Sequence, residues 1–290
     1  MSSRMERPDH KIKNSFNSRA AIAGILGPGS LSAAIYWINF KIYDLFPNGI
    51  NPYLYPPQAD ELKSLRDNQI FPNINRKDYP TIYPAGAQIF FRISYVLAGD
   101  SVAAFKAIMV FFDILTLLVL TALLRVHGFK TSRVIVYAWN PLVIFEIAYS
   151  GHLEGLTVFL MAIALYLCAI HRKMPAIIVL ALSAAVKLYP ALLLAAFLNR
   201  GDRIKGIITF SATIMLLYLP FLGAGGKILG FLPVYLKNPY ESFNLGLKHL
   251  LMRLIPGLDY HLLSLVFILA LVIAGLVVLL KSKEDIEVIR

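Results

Sequence analysis

The run AAFKAIMVFFDILTLLVLTALL, residues Ala103–Leu124, stays overwhelmingly apolar for 22 residues. The hydrocarbon core of a bilayer is about 30 Å thick, and about 20 helical residues cross it. In lipid each backbone N–H and C=O needs a partner within the chain, so such a run must be helical. It is continuous rather than alternating, which excludes the strand pattern of a membrane β-barrel. Val134–Tyr149, Leu156–Ile170, Gly206–Leu222 and Leu262–Leu280 repeat the pattern. Two more segments are long enough but interrupted. Ala20–Phe40 carries Gly27-Pro28-Gly29 at its middle, which marks a weak or kinked span. Pro175–Leu198 is interrupted by Lys187 and Pro190. The expectation is an all-α, polytopic integral membrane helix bundle of about six to eight spans.

Composition agrees with this class. The chain is 58% hydrophobic and 16% charged, and its mean hydropathy is +0.65. A soluble domain sits near 45–50% apolar and about 25% charged. The single cysteine, Cys168, excludes an internal disulfide framework and a Cys-based zinc site, and fits a packed or lipid-facing small residue. A net charge of +11 could suit nucleic acid. The basic residues instead cluster between the apolar runs, in Arg4–Arg19, Arg125–Arg133, His171–Lys173, Arg200–Lys205 and Lys281–Lys283. That is the positive-inside signature, and no nucleic-acid partner is expected. The first residues are polar and basic, so no cleavable signal peptide is expected.

Placing all five basic clusters in the cytoplasm fixes a topology for one membrane domain. Residues 1–19 and 281–290 become cytoplasmic tails. Tyr83–Gly99, which carries Arg92, then cannot cross and is expected as an amphipathic helix on the outer face. Pro175–Leu198 enters and leaves on one side, as two half-helices meeting near Lys187-Leu188-Tyr189-Pro190, with a single crossing as the alternative. Lys41–Val102 and Gly223–His261 are outer loops, and Gly151–Glu154 is a short outward turn. The absence of a soluble domain confines any site to these loops and to polar groups within the bundle.

The first outer loop is the densest polar cluster. It holds Asp44, then Gly49-Ile50-Asn51-Pro52-Tyr53-Leu54-Tyr55-Pro56-Pro57, then Ile74-Asn75-Arg76-Lys77-Asp78-Tyr79-Pro80-Thr81-Ile82-Tyr83-Pro84. The prolines keep the backbone stiff, and the tyrosines suit an interface, whether as a structural lid or as the cover of a ligand. Ionisable residues inside a membrane are costly and so point to function; Asp113, Glu146 and Lys187 qualify. Lys187, beside a helix break, could neutralise a phosphate, or form an ion pair with Glu146 or Asp113, or snorkel to a headgroup. Asp113 fits an interhelical hydrogen bond. His152 and Glu154 could hold substrate hydroxyls or assist proton transfer, or be a solvated turn. An Asp from the first loop would be needed to complete a metal site there, so no cofactor is expected and a divalent metal is left open. Asn140-Pro141 reads as a packing kink. Arg92 fits contact with a lipid phosphate or an anionic substrate. There is no phosphate-binding Walker loop, nucleophile elbow or dinucleotide fingerprint, so nucleotide use is unsupported.

The two first-loop motifs, together with Trp139-Asn140-Pro141-Leu142, Ser150-Gly151-His152-Leu153-Glu154-Gly155 and Ala185-Val186-Lys187-Leu188-Tyr189-Pro190, resemble in order the landmarks of GT-C fold mannosyltransferases. Glycosyltransferase family 87 and related enzymes that use polyprenyl phosphomannose are the branch most resembled, over about Gly49–Leu198. The resemblance implies a GT-C-like membrane hexosyltransferase that moves a sugar, expected to be mannose, from a polyprenyl-phosphate donor to a glycan or glycolipid acceptor. It implies an active site facing outward from the cell membrane, with inversion at the anomeric carbon. The catalytic base would be an Asp of the first outer loop, here Asp44. Asn51, Tyr53, Arg76, Asp78, Tyr83, Arg92, His152, Glu154 and Lys187 are the expected donor- and acceptor-binding residues. A flippase of lipid-linked sugars, or an inactive and truncated subunit, are the alternatives carried beside it.

Overall fold

The computed structural model of the chain describes residues 50–66, 71–74, 77–99, 101–198, 201–237, 247–255 and 257–281. Ala20–Phe40, Asp44 and Arg76 therefore lie outside the described residues. Those described form helices and turns, with no strand among them. The longer helices are α1 (Ala85–Ala98), α2 (Val102–Val126), α3 (Glu154–Ala169), α4 (Lys173–Val186), α5 (Arg203–Tyr218), α6 (Leu247–Leu254) and α7 (Tyr260–Lys281). In sequence order α2, α3, α4 and α5 each pack on the next, and α1 lies against α4.

Two helical stretches, Val102–Val126 and Arg203–Lys227, are long and apolar enough to cross a bilayer. The second includes the 3₁₀ continuation of α5. Ala85–Leu97, Glu154–Ala169, Lys173–Val186 and His261–Val277 are apolar but shorter. The run Val134–Tyr149 departs from expectation, because it does not form one spanning helix. It is built from a 3₁₀ turn at Thr131–Val134, a short helix Ile135–Ala138, a second at Pro141–Val143, and a π-helical turn Ile144–Tyr149. Pro141 brings no N–H to an ongoing helix, and the Asn140 side chain caps a new start by accepting from Leu142 N–H at 3.0 Å.

Local chemistry explains the other boundaries. Ser101 starts α2 by accepting from Ala104 N–H at 3.2 Å. The α4 helix ends where Lys187 turns extended, at φ −141° and ψ 145°, and a 3₁₀ turn Tyr189–Leu193 with Pro190 in its first turn comes next. The segment Pro175–Leu198 is thus broken at the residues that interrupt it in sequence.

One core joins α1, α2, α3 and the first loop through Phe91, Met109, Leu156 and Leu62; another fills the space between α4 and α5 with Ile177, Leu180 and Phe210. On α1 polarity is mixed, with polar residues buried beside Phe91 and large apolar ones exposed. Gln88 and Ser94 are buried, while Val96 and Leu97 are 73% and 74% exposed, and Arg92 is exposed beside them. On α7, Leu262, Leu265, Val266, Ile268, Leu269 and Leu276 are likewise exposed. Exposed apolar residues gathered along one helix in this number mark an interaction face rather than a watery one.

Candidate functional site

A chain of charged and polar side chains forms where α3 begins and α4 ends. Ser183 Oγ, inside α4, donates to Thr157 O of α3 at 2.9 Å. That buried bond sets the register of the two helices. One turn further along α4 stands Lys187, whose N–H bonds Ser183 O at 3.1 Å. One turn back on α3 stands Glu154. The register brings the Lys187 ammonium against Glu154 Oε1, where they form an ion pair and hydrogen bond. Lys187 therefore pairs with neither Glu146 nor Asp113, the partners its position in sequence suggests. Asp113 instead accepts from Tyr137 O–H at 2.7 Å, a hydrogen bond between α2 and the Ile135–Ala138 helix.

The π turn delivers the rest. Its backbone closes with Ser150 N–H on Phe145 O at 2.9 Å, and His152 N–H reaches back to Glu146 O at 3.0 Å. Gly151 lies between them at φ +69°, in the left-handed region that glycine adopts freely. The turn sets His152 between two carboxylates: Nε2 lies 3.0 Å from Glu146 Oε2, and Nδ1 lies 3.7 Å from Glu154 Oε2. The order is Lys187, Glu154, His152, Glu146.

Electrostatics sort the members. Burial pushes the His152 imidazole down, the Glu154 charge pulls it up, Lys187 lowers it and Glu146 raises it, and the balance lies below its ordinary value. The ring is then neutral near pH 7. Burial pushes the Glu154 carboxyl up, but the Lys187 charge and hydrogen bond, followed by His152, carry it below its ordinary value, so it is ionised. Glu154 Oε2 is buried and has no hydrogen-bond donor among the described residues. An ionised carboxylate accepts hydrogen bonds through both oxygens, so Glu154 keeps acceptor capacity beyond its bond to Lys187. Among the described residues no three His, Cys, Asp or Glu side chains come together to hold a metal ion.

The remaining expected site residues are placed differently. Asn51 is buried: its Nδ2 donates to Phe221 O at 3.0 Å, and its Oδ1 accepts from Tyr53 N–H at 3.1 Å. Tyr53 is buried with its ring edge-on to Phe221, and its O–H donates to Tyr83 O at 2.9 Å. These residues pin the first loop onto the end of α5. Tyr83 stands edge-on to Phe91 of α1. Asp78 is exposed beside Tyr79, whose ring packs on Phe231. Arg92 lines a half-open cleft of about 450 Å³ with Ile89, Ile93, Val96, Leu97, Pro220 and Phe221. The fold thus brings His152, Glu154 and Lys187 together, while Asp78 and Arg92 belong to other parts of the surface. Glu146 joins the site although the sequence motifs do not include it; its position as a carboxylate within an apolar run is the signal that points to it.

A family model described as "Alpha-(1->6)-mannopyranosyltransferase, N-terminal domain" matches residues 44–199, more than half of the chain. The matched stretch contains every member of the Lys187–Glu154–His152–Glu146 chain. No curated protein and no solved structure matches.

Proposed function

This chain belongs to the alpha-(1->6)-mannopyranosyltransferase family, and we propose that it transfers mannose from a polyprenyl-phosphate donor to a hydroxyl of a glycan or glycolipid acceptor. The reaction takes place on the outer face of the cell membrane, in a single GT-C-like bundle of about six to eight membrane segments. Two crossing-length stretches, four shorter apolar helices and the exposed apolar residues of α1 and α7 support the membrane part of this reading. The observation that carries the proposal is the Lys187–Glu154–His152–Glu146 chain, set at a helix break within the family-matched stretch of an otherwise apolar bundle.

In this mechanism Asp44 takes the proton of the acceptor hydroxyl. The oxygen attacks the anomeric carbon from the side opposite the phosphate, a new C–O bond forms with inversion, and the bond to the phosphate oxygen breaks. Polyprenyl phosphate leaves with the electron pair. The Glu154 carboxylate, its side chain 30% exposed, accepts a hydrogen bond from a sugar hydroxyl and orients it; Lys187 keeps that carboxylate ionised, and Glu146 holds the neutral imidazole in place. Asn51, Tyr53 and Tyr83 act by fixing the loop that covers the sugar, while Arg76, Asp78 and Arg92 are assigned to donor and acceptor binding through the same loop and α1.

The test is reconstituted protein supplied with polyprenyl-phosphate mannose and a panel of acceptors, with release of polyprenyl phosphate as the measurement. Wild type turns over, and Asp44→Asn slows turnover by about a hundredfold or more. An unchanged rate in Asp44→Asn removes that base assignment. Movement of intact donor across vesicles without bond cleavage would make the protein a flippase instead.

A further inference from the structure

With Lys187 committed to Glu154, the cation available to an anionic ligand beside this site must come from elsewhere. Lys106 is the fifth residue of α2, and its side chain lies against the turn that precedes His152. A Cβ placed on Gly151 would stand 2.8 Å from Lys106 Cγ, so the bare glycine is what lets the lysine stem lie there. The Lys106 ammonium sits over the Tyr149 ring, 5.7 Å from its centre. Backbone and ring together place the charge beside the Glu146–His152 turn.

The placement is costly without a counter-charge. Lys106 is half-buried in an apolar helix, and no described carboxylate lies within ion-pair distance of it. It also stands near the start of α2, whose first turn has no acidic residue, at the helix end where the peptide dipoles disfavour a cation. An aromatic face offsets only part of this cost. An oxyanion would offset the rest.

We infer that Lys106, with Tyr149 beneath it, binds a phosphate oxyanion of a lipid-linked ligand next to the Glu146–His152 turn. This rests on the transfer reading for its link to a sugar donor. The same chemistry is offered by the donor's phosphate and by a phospholipid headgroup. Lys187 orders Glu154; Lys106 holds the phosphate.

The test uses the full chain in phosphatidylcholine nanodiscs, titrated with farnesyl phosphate and, in parallel, with farnesol. Lys106→Met keeps the apolar stem and removes the charge. It is expected to weaken farnesyl phosphate binding by about tenfold to a hundredfold, the loss of one charge-assisted hydrogen bond, with farnesol binding unchanged. Lys106→Gln is read in the same way should Lys106→Met fail to fold. Unchanged farnesyl phosphate affinity, or an equal loss for farnesol, overturns the assignment. Repeating the titration with phosphatidylglycerol present separates the two sources. Competition in wild type but not in Lys106→Met marks the headgroup as occupant, and absence of competition marks the donor; both uphold phosphate binding at Lys106. Phosphate binding through Lys106 without mannosyl transfer would sink the transfer reading alone. Transfer with phosphate affinity independent of Lys106 would sink this inference alone.

Discussion

Replacing Lys187 by Met isolates what the Lys187–Glu154 pair contributes. Met fills the volume of the lysine stem, so the change is confined largely to the charge. Exposed ion pairs contribute about 0.2–1 kcal/mol, while removing one partner of a fully buried pair costs about 3–5 kcal/mol. The side chains of Lys187 and Glu154 are 24% and 30% exposed, which places the pair between these limits, at about 2 kcal/mol after allowance for solvent screening. The loss arises mainly from Glu154, left as an unpaired carboxylate whose burial is no longer opposed by the ammonium. In the wild type the Glu154 carboxyl lies below its unfolded value, so its contribution is present above that unfolded value and is lost as pH falls through the folded one. In Lys187→Met burial dominates and the sign reverses, so the variant is least impaired in acid, where Glu154 is protonated. Equilibrium unfolding in mixed detergent micelles measures both effects. The double variant Lys187→Met with Glu154→Gln leaves no orphaned charge and is expected to recover more than 1 kcal/mol, about half or more of the loss. A single-variant cost below about 0.5 kcal/mol, or strict additivity in the double variant, would refute the reasoning.

Two further outcomes follow, one from the same site and one from the Thr81–Phe231 contact. Because the His152 ring is held below its ordinary value of 6.5, the unfolded chain binds its proton first; stability then falls as pH drops below about 6.5 and levels off beneath the folded pKa. His152→Asn should flatten that part of a melting-temperature profile, well above the window of Glu154, and an unchanged slope would place the titration elsewhere. Gly230 has φ +55°, and a Cβ there would come within 1.9 Å of Thr81 O, which accepts from Phe231 N–H at 3.1 Å. Gly230→Ala should therefore cost about 2 kcal/mol or more and speed proteolysis between residues 219 and 237; wild-type protease resistance would show that this contact does not hold the segment.

What can be seen in the sequence is whatever local chemistry decides. The 25 residues of α2 form one helix because their apolar run is long and Ser101 caps it. The break after Val186 comes from Lys187 and Pro190, and Asn140-Pro141 marks a helix start that divides the expected span Val134–Tyr149. What cannot be seen depends on partners far away along the chain. Lys187 meets Glu154 because Ser183 bonds Thr157 O, and nothing near Lys187 in sequence encodes that register. Asn51 has the look of a ligand-binding residue in a polar loop, yet its amide is committed to Phe221, 170 positions later. Lys106 looks like a stray charge inside an apolar run, since only the packing of α2 against Gly151 sets it beside the Glu146–His152 turn.

The π turn at Ile144–Tyr149 is in effect an α-helical turn with one residue too many. Losing a single residue there would restore ordinary winding and rotate everything upstream by about 100° relative to α3 and α4. Glu146 would swing away from the imidazole, while the α3–α4 packing that holds Lys187 on Glu154 would be untouched. The site is therefore built from two independently heritable halves. One is locked by helix packing; the other could be gained or dismissed by inserting or deleting one codon.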